Sequence, residues 1–467
     1  MSNLITRTIT GKDNAPVYFP TGIAVGNGTE SGGINKIGIA GQQGFGVGIC
    51  PALPTGMSEL FGTRDQSSDN YGNYIYSDGS IMVWIPAFVY KYNADNTVLI
   101  KSLSDYTTVA AANIDGYALH RAFYNAGAVQ PGIFVDKYQV SKNNLTASSI
   151  KNGNPLTSFS SHNPFTGLGV AGITDTYGSA IDVIKTRGSK FFCNSVFAFK
   201  ALALLSLAHG QASSSNANCA WYDAAGITNY PKGNNNGSLK DSNDLSVSYV
   251  GDGYSYTDPV SSVVSYCGKT GSANFFAKTT HNGQNCGIAD LNGNVWEINL
   301  GLTAINGVTP ADIGFYLLNT SADISALTNA VAATGNAAFM TTPNASLYTK
   351  VSTTNYVYMA NTVKVWPVNN SPLYGIYGIG SASQTFSADL TGNDWALTGA
   401  GLPLDGAKTW TNKFGNDGLW YLMPDQLCAI SGGDWHDGGL AGLWGLYLTS
   451  VRGYSANSVG CRAALYL

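Results

Sequence analysis

Charge is what this sequence has least of. Only 11% of its 467 residues are Asp, Glu, Lys or Arg, against roughly a quarter in an ordinary soluble domain. The formal net charge is -4, and no basic block occurs anywhere. Without a positive patch nothing drives binding to a phosphate backbone, so nucleic acid is excluded as a partner class. Long hydrophobic runs are also missing. The most apolar stretch, 196–208, covers about 13 residues, is interrupted by Lys200 and is too short to cross a bilayer, so no transmembrane segment is expected. The opening Met1-Ser2-Asn3-Leu4 has no positive region leading into an apolar run and does not read as a signal peptide. A role outside a cell would then require release by lysis, within a particle, or by a non-classical route. Cysteine is sparse and scattered. The seven residues Cys50, Cys193, Cys219, Cys267, Cys286, Cys428 and Cys461 form no C-x-x-C pair, and an odd number in so long a chain makes no disulfide framework. Buried thiols are the expectation.

Glycine and aromatic residues fill the gap, with 56 Gly, 27 Tyr, 18 Phe and 9 Trp, and 44% of residues are apolar. Such a chain folds, but draws its solubility from Ser, Thr, Asn and the backbone. That profile fits adhesins, virion parts and β-rich structure better than a cytoplasmic metabolic enzyme.

The pattern along the chain is mostly that of short strands. Residues 1–80 are glycine-rich, with alternating pieces at 5–10 and 23–25. A stronger strand is predicted over 81–85, stopped by Pro86, with 88–92 as its hairpin partner and Asp78-Gly79 as a turn ahead of it. A further strand is predicted over 133–140, and 141–190 reads as loop. The clearest helix spans 195–209, capped by Asn194 or Ser195 and closed by Gly210; it is apolar on almost every side, which predicts deep burial. Residues 211–285 read as polar loop, 321–333 as a second helix, and 356–359 and 363–366 as short strands.

Two segments carry the argument about function. In Asp290-Leu291-Asn292-Gly293-Asn294-Val295-Trp296-Glu297, Asn292-Gly293 makes a turn, Val295 begins a strand and Trp296 is large enough to anchor a core. The second runs from Gly432-Gly433-Asp434-Trp435-His436-Asp437 to Gly460-Cys461-Arg462-Ala463-Ala464-Leu465. Gly-Asn-Val-Trp-Glu, then Gly-Gly-x-Trp, then Gly-x-Arg is a motif order that resembles the formylglycine-generating-enzyme type of C-type lectin fold. The strand 134–140 and the helix 195–209 fall where that fold has an opening strand and a helix. Within it, Ala441-Gly442, Leu446-Tyr447-Leu448 and the Gly-x-Arg-x-Ala-Leu ending look most like the variable proteins of diversity-generating retroelements, which include phage receptor-binding tail proteins.

The resemblance implies an α+β, C-type-lectin-like domain over 129–467, with an insertion near 302–410 and a β-rich attachment or oligomerisation region over 1–128. It implies a scaffold motif of Asn294, Trp296, Glu297, Gly433, Trp435, Gly460 and Arg462, the last pairing with carboxylates or backbone carbonyls. It also implies a ligand-binding set of Asp434, His436, Asp437, Leu440, Trp444, Tyr447, Thr449, Tyr454 and Ser455. Alternation along a strand turns Leu446 and Leu448 to the core and Tyr447 and Thr449 outward. Trp444, Tyr447 and Tyr454 would provide contact area at modest entropic cost; for Trp444 a core position is an equal expectation. The implied partner is a host-cell surface protein or glycan, and the implied setting is a virion or phage tail, or alternatively a cell surface or extracellular site. A homo-oligomer, a trimer by the resemblance, is expected.

Two other readings remain open. One is an enzyme of the formylglycine-generating or sulfatase-modifying group. The family's reactive cysteine pair is absent between Gly433 and Gly460, and Cys461 sits in the structural Gly-x-Arg element. The other is a structural virion or surface protein. No G-x-S-x-G, H-E-x-x-H, Walker or dinucleotide-binding pattern is present, Glu297 has no evident catalytic partner, and Cys428 and His436 are not placed to react. His436 between two aspartates suggests a metal, but neighbouring residues rarely converge on one ion without a distant third ligand. No cofactor or metal is expected.

Overall fold

The computed structural model describes residues 33–93, 97–170, 177–224, 230–305, 314–330, 337–340, 347–351, 392–402, 417–421 and 424–467. The strands expected at 5–10, 23–25, 356–359 and 363–366 lie outside these residues.

Two sheets organise the molecule. The first has six antiparallel strands in the order Met57–Glu59, Asn73–Tyr76, Ile81–Pro86, Gly132–Asp136, Ala463–Leu465, Phe192–Cys193. Asp78-Gly79 turns the chain between its second and third strands. Gly79 takes φ +88, and the Asp78 carboxylate accepts the Ser80 amide at 2.9 Å. Strands from 57–86 thus share a sheet with the strand that ends the chain. One apolar core runs from Ile37 to Tyr466, so the boundary expected at 128/129 crosses a continuous sheet and core.

Phe88–Tyr92 does not fold back on Ile81–Pro86. It pairs instead with Val98–Ser102 and Ala118–Leu119. Only Ala87 separates the two strands, with no Gly or Asn to reverse the chain. The chain therefore leaves one sheet and enters another. The strand expected over 133–140 ends at Asp136. The Lys137 amide still donates to the Ile81 carbonyl, but the Lys137 carbonyl accepts the Ala289 amide and Val140 bonds to Cys461 and Leu156, so the ladder gives way to loop contacts.

The second sheet is mixed, in the order Leu419–Tyr421, Gly442–Leu448, Ile430–Gly432, Trp296–Ile298, Val459–Gly460. Trp296–Ile298 lies between the other two motif strands, antiparallel to Ile430–Gly432 and parallel to Val459–Gly460.

The helix Val196–Ala212 packs against this sheet. Ser195 caps it, its hydroxyl accepting the Ala198 amide at 3.1 Å. Every residue from Val196 to Gly210 is buried, as expected for a helix that is apolar all round. Gly210 does not end it. The helix continues to Ala212, and the Ser213 hydroxyl bonds back to the His209 carbonyl at 2.7 Å, so no left-handed glycine is required.

The second expected helix, 321–333, is a single turn, Ile324–Ala326, capped by the Asp323 carboxylate on the Ser325 amide at 2.9 Å; residues 327–330 are not helical and 331–333 lie outside the described residues. Conversely, the loop expected over 141–190 holds the helix Ser179–Lys185. The loop expected over 211–285 holds the hairpin Gly251–Thr257/Val264–Gly268. Within 302–410, the strands Leu302–Ile305, Gly314–Leu318 and Tyr348–Lys350 form a small sheet. Among the described residues no helix is long and apolar enough to cross a membrane.

Candidate functional site

The scaffold residues form a buried polar lattice. Arg462 donates to both Glu297 oxygens, Nε to Oε2 at 2.9 Å and Nη2 to Oε1 at 2.6 Å. It also donates to the Asp136 and Ala289 carbonyls, each at 2.8 Å. Asp136 accepts two bonds from Arg187, at 2.5 and 3.0 Å, and the Ala463 amide at 3.0 Å. Each buried charge thus has a geometrically good partner, which is the condition for tolerating it there. Asn294 ties together Gln139, Gly268 and Asn234, and Asn235 reaches Asp241 and Asn292. The Gly233-Asn234-Asn235-Asn236-Gly237 run is therefore largely a buried framework rather than a solvated loop. Its Gly237 amide holds the Trp435 carbonyl at 2.6 Å.

Trp435 is fully buried. Gly433 precedes it at φ +87, and a Cβ there would lie 2.4 Å from that of Ala441, so the turn into the terminal segment excludes larger residues. At Gly460 an added Cβ would meet the Leu156 carbonyl oxygen at 2.6 Å.

From this base the chain turns sharply. Asp434 is buried, and its Oδ1 accepts the His436 amide at 3.0 Å and lies 2.8 Å from His436 Nδ1. The Asp437 carboxylate accepts the Asp434 amide at 2.8 Å. His436 is exposed. Its hydrogen bond to Asp434 raises its pKa to about 9 against the opposing effect of burial, with the charges of Asp434, Asp437 and Asp258 adding to the rise. Burial, and then the Asp434 charge, hold the Asp437 carboxyl well above the usual carboxylate range.

Along Gly442–Leu448 and on to Thr449, Leu446 and Leu448 are buried while Tyr447 and Thr449 are partly exposed, the expected alternation. Trp444 has the parity of the two leucines and is only 2% exposed. It is core, and of its two expected positions the contact position does not hold. Asp434 is likewise beneath the surface and orients His436 rather than offering contact itself. Tyr447 packs against the rings of both Trp296 and Trp420, at 5.6 and 5.7 Å, so one side of it belongs to the scaffold. The Ser455 hydroxyl is committed to the Ser158 carbonyl at 2.6 Å. Leu440 is half-buried and Tyr454 is exposed.

A neighbour not anticipated from the sequence completes the surface. The inner face of the hairpin Gly251–Thr257/Val264–Gly268 lays Tyr254 and Tyr256 against Trp435, and the Tyr256 ring lies 6.4 Å from His436. Burial raises the pKa of the Tyr454 hydroxyl, and Tyr447, Asp434, Tyr256 and Asp437 all act on it in the same direction. These groups therefore lie near one another, with Asp434 buried beneath the exposed His436 and Tyr454. The alternation Tyr254-Ser255-Tyr256-Thr257 was the available signal for this hairpin, hidden by the surrounding polar residues.

All seven cysteines are buried free thiols. Burial pushes the Cys428 and Cys461 thiols well above their ordinary value. Apart from the terminal segment, His162, Asp252 and Cys267 bring their ligand-type atoms within 4.8 Å of one another.

No protein-family model matches this chain, and no curated protein matches it. Among solved structures, one named Major Tropism Determinant U1 Variant aligns at 12% identity with a TM-score of 0.29, over 89% of this chain and 73% of that one. A likeness so slight carries no argument about this chain.

Proposed function

We infer that this chain is a receptor-binding protein with a C-type-lectin-like scaffold, which attaches a phage tail to a host cell through the patch formed by His436, Asp437, Tyr447, Thr449 and Tyr454 with Tyr256. The observation that carries the reading is the three-strand arrangement of the motifs. Val-Trp-Glu, Gly-Gly-x-Trp and Gly-x-Arg lie side by side, locked by Arg462 and Glu297, while His436, Tyr447, Thr449 and Tyr454 between the last two reach the surface. A rigid base under changeable, tyrosine-rich contacts is what an adaptable binding face requires. The partner is a host-surface protein or glycan, and fold alone does not choose between them.

Binding is favoured over the related redox chemistry by the state of the thiols. A reactive cysteine needs access and a lowered pKa, whereas Cys428 and Cys461 are enclosed and shifted upward.

The test uses the full chain, fluorescently labelled, on a panel of intact bacterial isolates. At least one isolate should be stained, and the triple variant His436→Ala, Tyr447→Ser, Tyr454→Ala should lose binding at least about tenfold while keeping its circular dichroism, as expected when central aromatic contacts are removed. Unchanged staining by the folded variant would refute the patch. Wild-type protein that stains none of a broad panel would favour a structural virion role instead.

A further inference from the structure

The base of the tyrosine hairpin holds a second constellation, separate from the proposed contact patch. His162 comes from the loop after Phe159, Asp252 from the first hairpin strand and Cys267 from the second. The side chains of His162 and Asp252 are 1% and 0% exposed, and Cys267 is fully buried.

The hydrogen bonds of His162 define what it presents. Its Nδ1 lies 2.6 Å from the Asn457 carbonyl oxygen, which can only accept, so Nδ1 carries the proton. In the neutral ring Nε2 then offers a lone pair, and it points at Asp252 Oδ2 from 2.8 Å. Two acceptors at that distance need a cation between them. The Asp252 carboxylate is itself oriented by the Tyr254 amide on Oδ1 at 2.7 Å and by Asn163 Nδ2 on Oδ2 at 3.0 Å. A histidine tied through its second nitrogen to a carbonyl, beside a carboxylate held by hydrogen bonds, is the outer-shell pattern of a metal ligand set.

A proton on His162 would satisfy the imidazole and the carboxylate and leave the Cys267 thiol with weak hydrogen bonds, 3.7 Å to the Gly268 carbonyl and 3.7 Å to Asn294 Oδ1. A divalent ion would instead engage all three ligand atoms. With one carboxylate and one thiolate it forms a site of zero net charge, the form that burial tolerates. Imidazole, carboxylate and thiolate together suit zinc, whose tetrahedral shell separates ligand atoms by about 3.5 Å; His162 and Asp252 would part by roughly half an ångström to admit it, with water in the fourth position.

We propose that His162 Nε2, Asp252 Oδ2 and Cys267 Sγ bind a zinc-class divalent ion that clamps the tyrosine hairpin to the loop at 158–164, beneath Trp435. On binding, the Cys267 thiol releases its proton to solvent and the sulfur forms the metal bond. No oxidation change is involved. The clamp would fix Tyr254, whose ring stacks on His162 at 3.9 Å, and through the same strand Tyr256.

The experiment reads metal directly and needs no receptor, so its outcome is independent of the binding proposal. The full chain is stripped with chelator, loaded with Zn²⁺ or Co²⁺, desalted and analysed for metal content and absorption. About one ion per chain should be retained at a site of three protein ligands, and the cobalt form should show a thiolate-to-metal charge-transfer band. Cys267→Ser should abolish the band, and Asp252→Asn should weaken retention by at least about tenfold. If Cys267→Ser fails to fold, His162→Gln serves in its place, with loss of retained metal as the expected result. Wild-type protein that is folded yet shows no thiolate band at saturating Co²⁺ overturns the proposal. So does a band that survives in folded Cys267→Ser, which would put the metal elsewhere.

Discussion

His436 shows how one contact sets the charge of a surface residue. The hydrogen bond to Asp434 lifts its pKa from 6.5 to about 9, so it carries a positive charge at neutral pH. Because the folded value lies above the unfolded one, the stabilisation from this pair is complete below about 6.5 and is lost as pH rises through about 9. An imidazole NMR titration should place the His436 midpoint near 9, with Asp434→Asn moving it down toward 6.5. A wild-type midpoint near the unperturbed value would refute the pairing. If the cation contacts the receptor, affinity should fall over the same alkaline range, measured by binding at successive pH values. Trp444 makes the complementary point. Its size suits either a contact or a core role, and only its burial in the folded structure settles which, since Leu443 of the opposite parity is buried as well.

Among the elements, the helix Val196–Ala212 acts on the strand Gly442–Leu448 from below. Lys200 is buried, and its ammonium donates to the carbonyls of Leu443 at 2.9 Å and Gly445 at 3.2 Å. Burial lowers its pKa to about 7, with the Asp417 charge opposing. Lys200→Met keeps most of the packing but leaves two strand carbonyls without this donor. The expected loss is about 1–3 kcal/mol, measured by urea unfolding, with backbone amides of 442–446 exchanging faster. A loss below about 0.5 kcal/mol, the level of an ordinary surface change, would show that Lys200 does not hold the strand. This helix was legible because its signals are local: a capping serine and an apolar run broken only by Lys200. The element 321–333 carried a similar apolar spacing, yet the Asp323 cap closes only one turn there and the following residues take non-helical contacts. The tyrosine hairpin was not legible, since its outer face mixes Ser255 and Thr257 with exposed Val264 and Tyr266, and its inner tyrosines find their apolar partner, Trp435, only in three dimensions.

For the whole molecule, the joint between Glu297 and Arg462 links residues 165 positions apart and fastens the second sheet to the strand that closes the first. Arg462→Met should cost about 3–5 kcal/mol, because it strands a buried carboxylate. Glu297→Gln should cost less, since its amide oxygen still accepts one of the two guanidinium bonds and Arg462 keeps the Asp136 and Ala289 carbonyls, although the amide nitrogen opposes the second. Denaturant midpoints of the two variants measure this order, and a loss below about 1 kcal/mol for Arg462→Met would mean that the pair does not secure the sheets.

The sequence by itself determined the low-charge, glycine- and aromatic-rich character of the chain, the capped buried helix, the Asp78-Gly79 turn and the outward alternation of Tyr447 and Thr449. All of these depend on a few neighbouring residues. It also marked the motif residues around Trp296, Trp435 and Arg462. Only the tertiary structure decided that these motifs are adjacent strands, that Phe88–Tyr92 leaves its expected partner, and that Tyr256 joins His436. Only there do His162, Asp252 and Cys267 meet. The reason is physical: a strand's own residues specify which face is apolar, but its neighbour is chosen by competition among all the edges and apolar surfaces that the folded chain brings within reach.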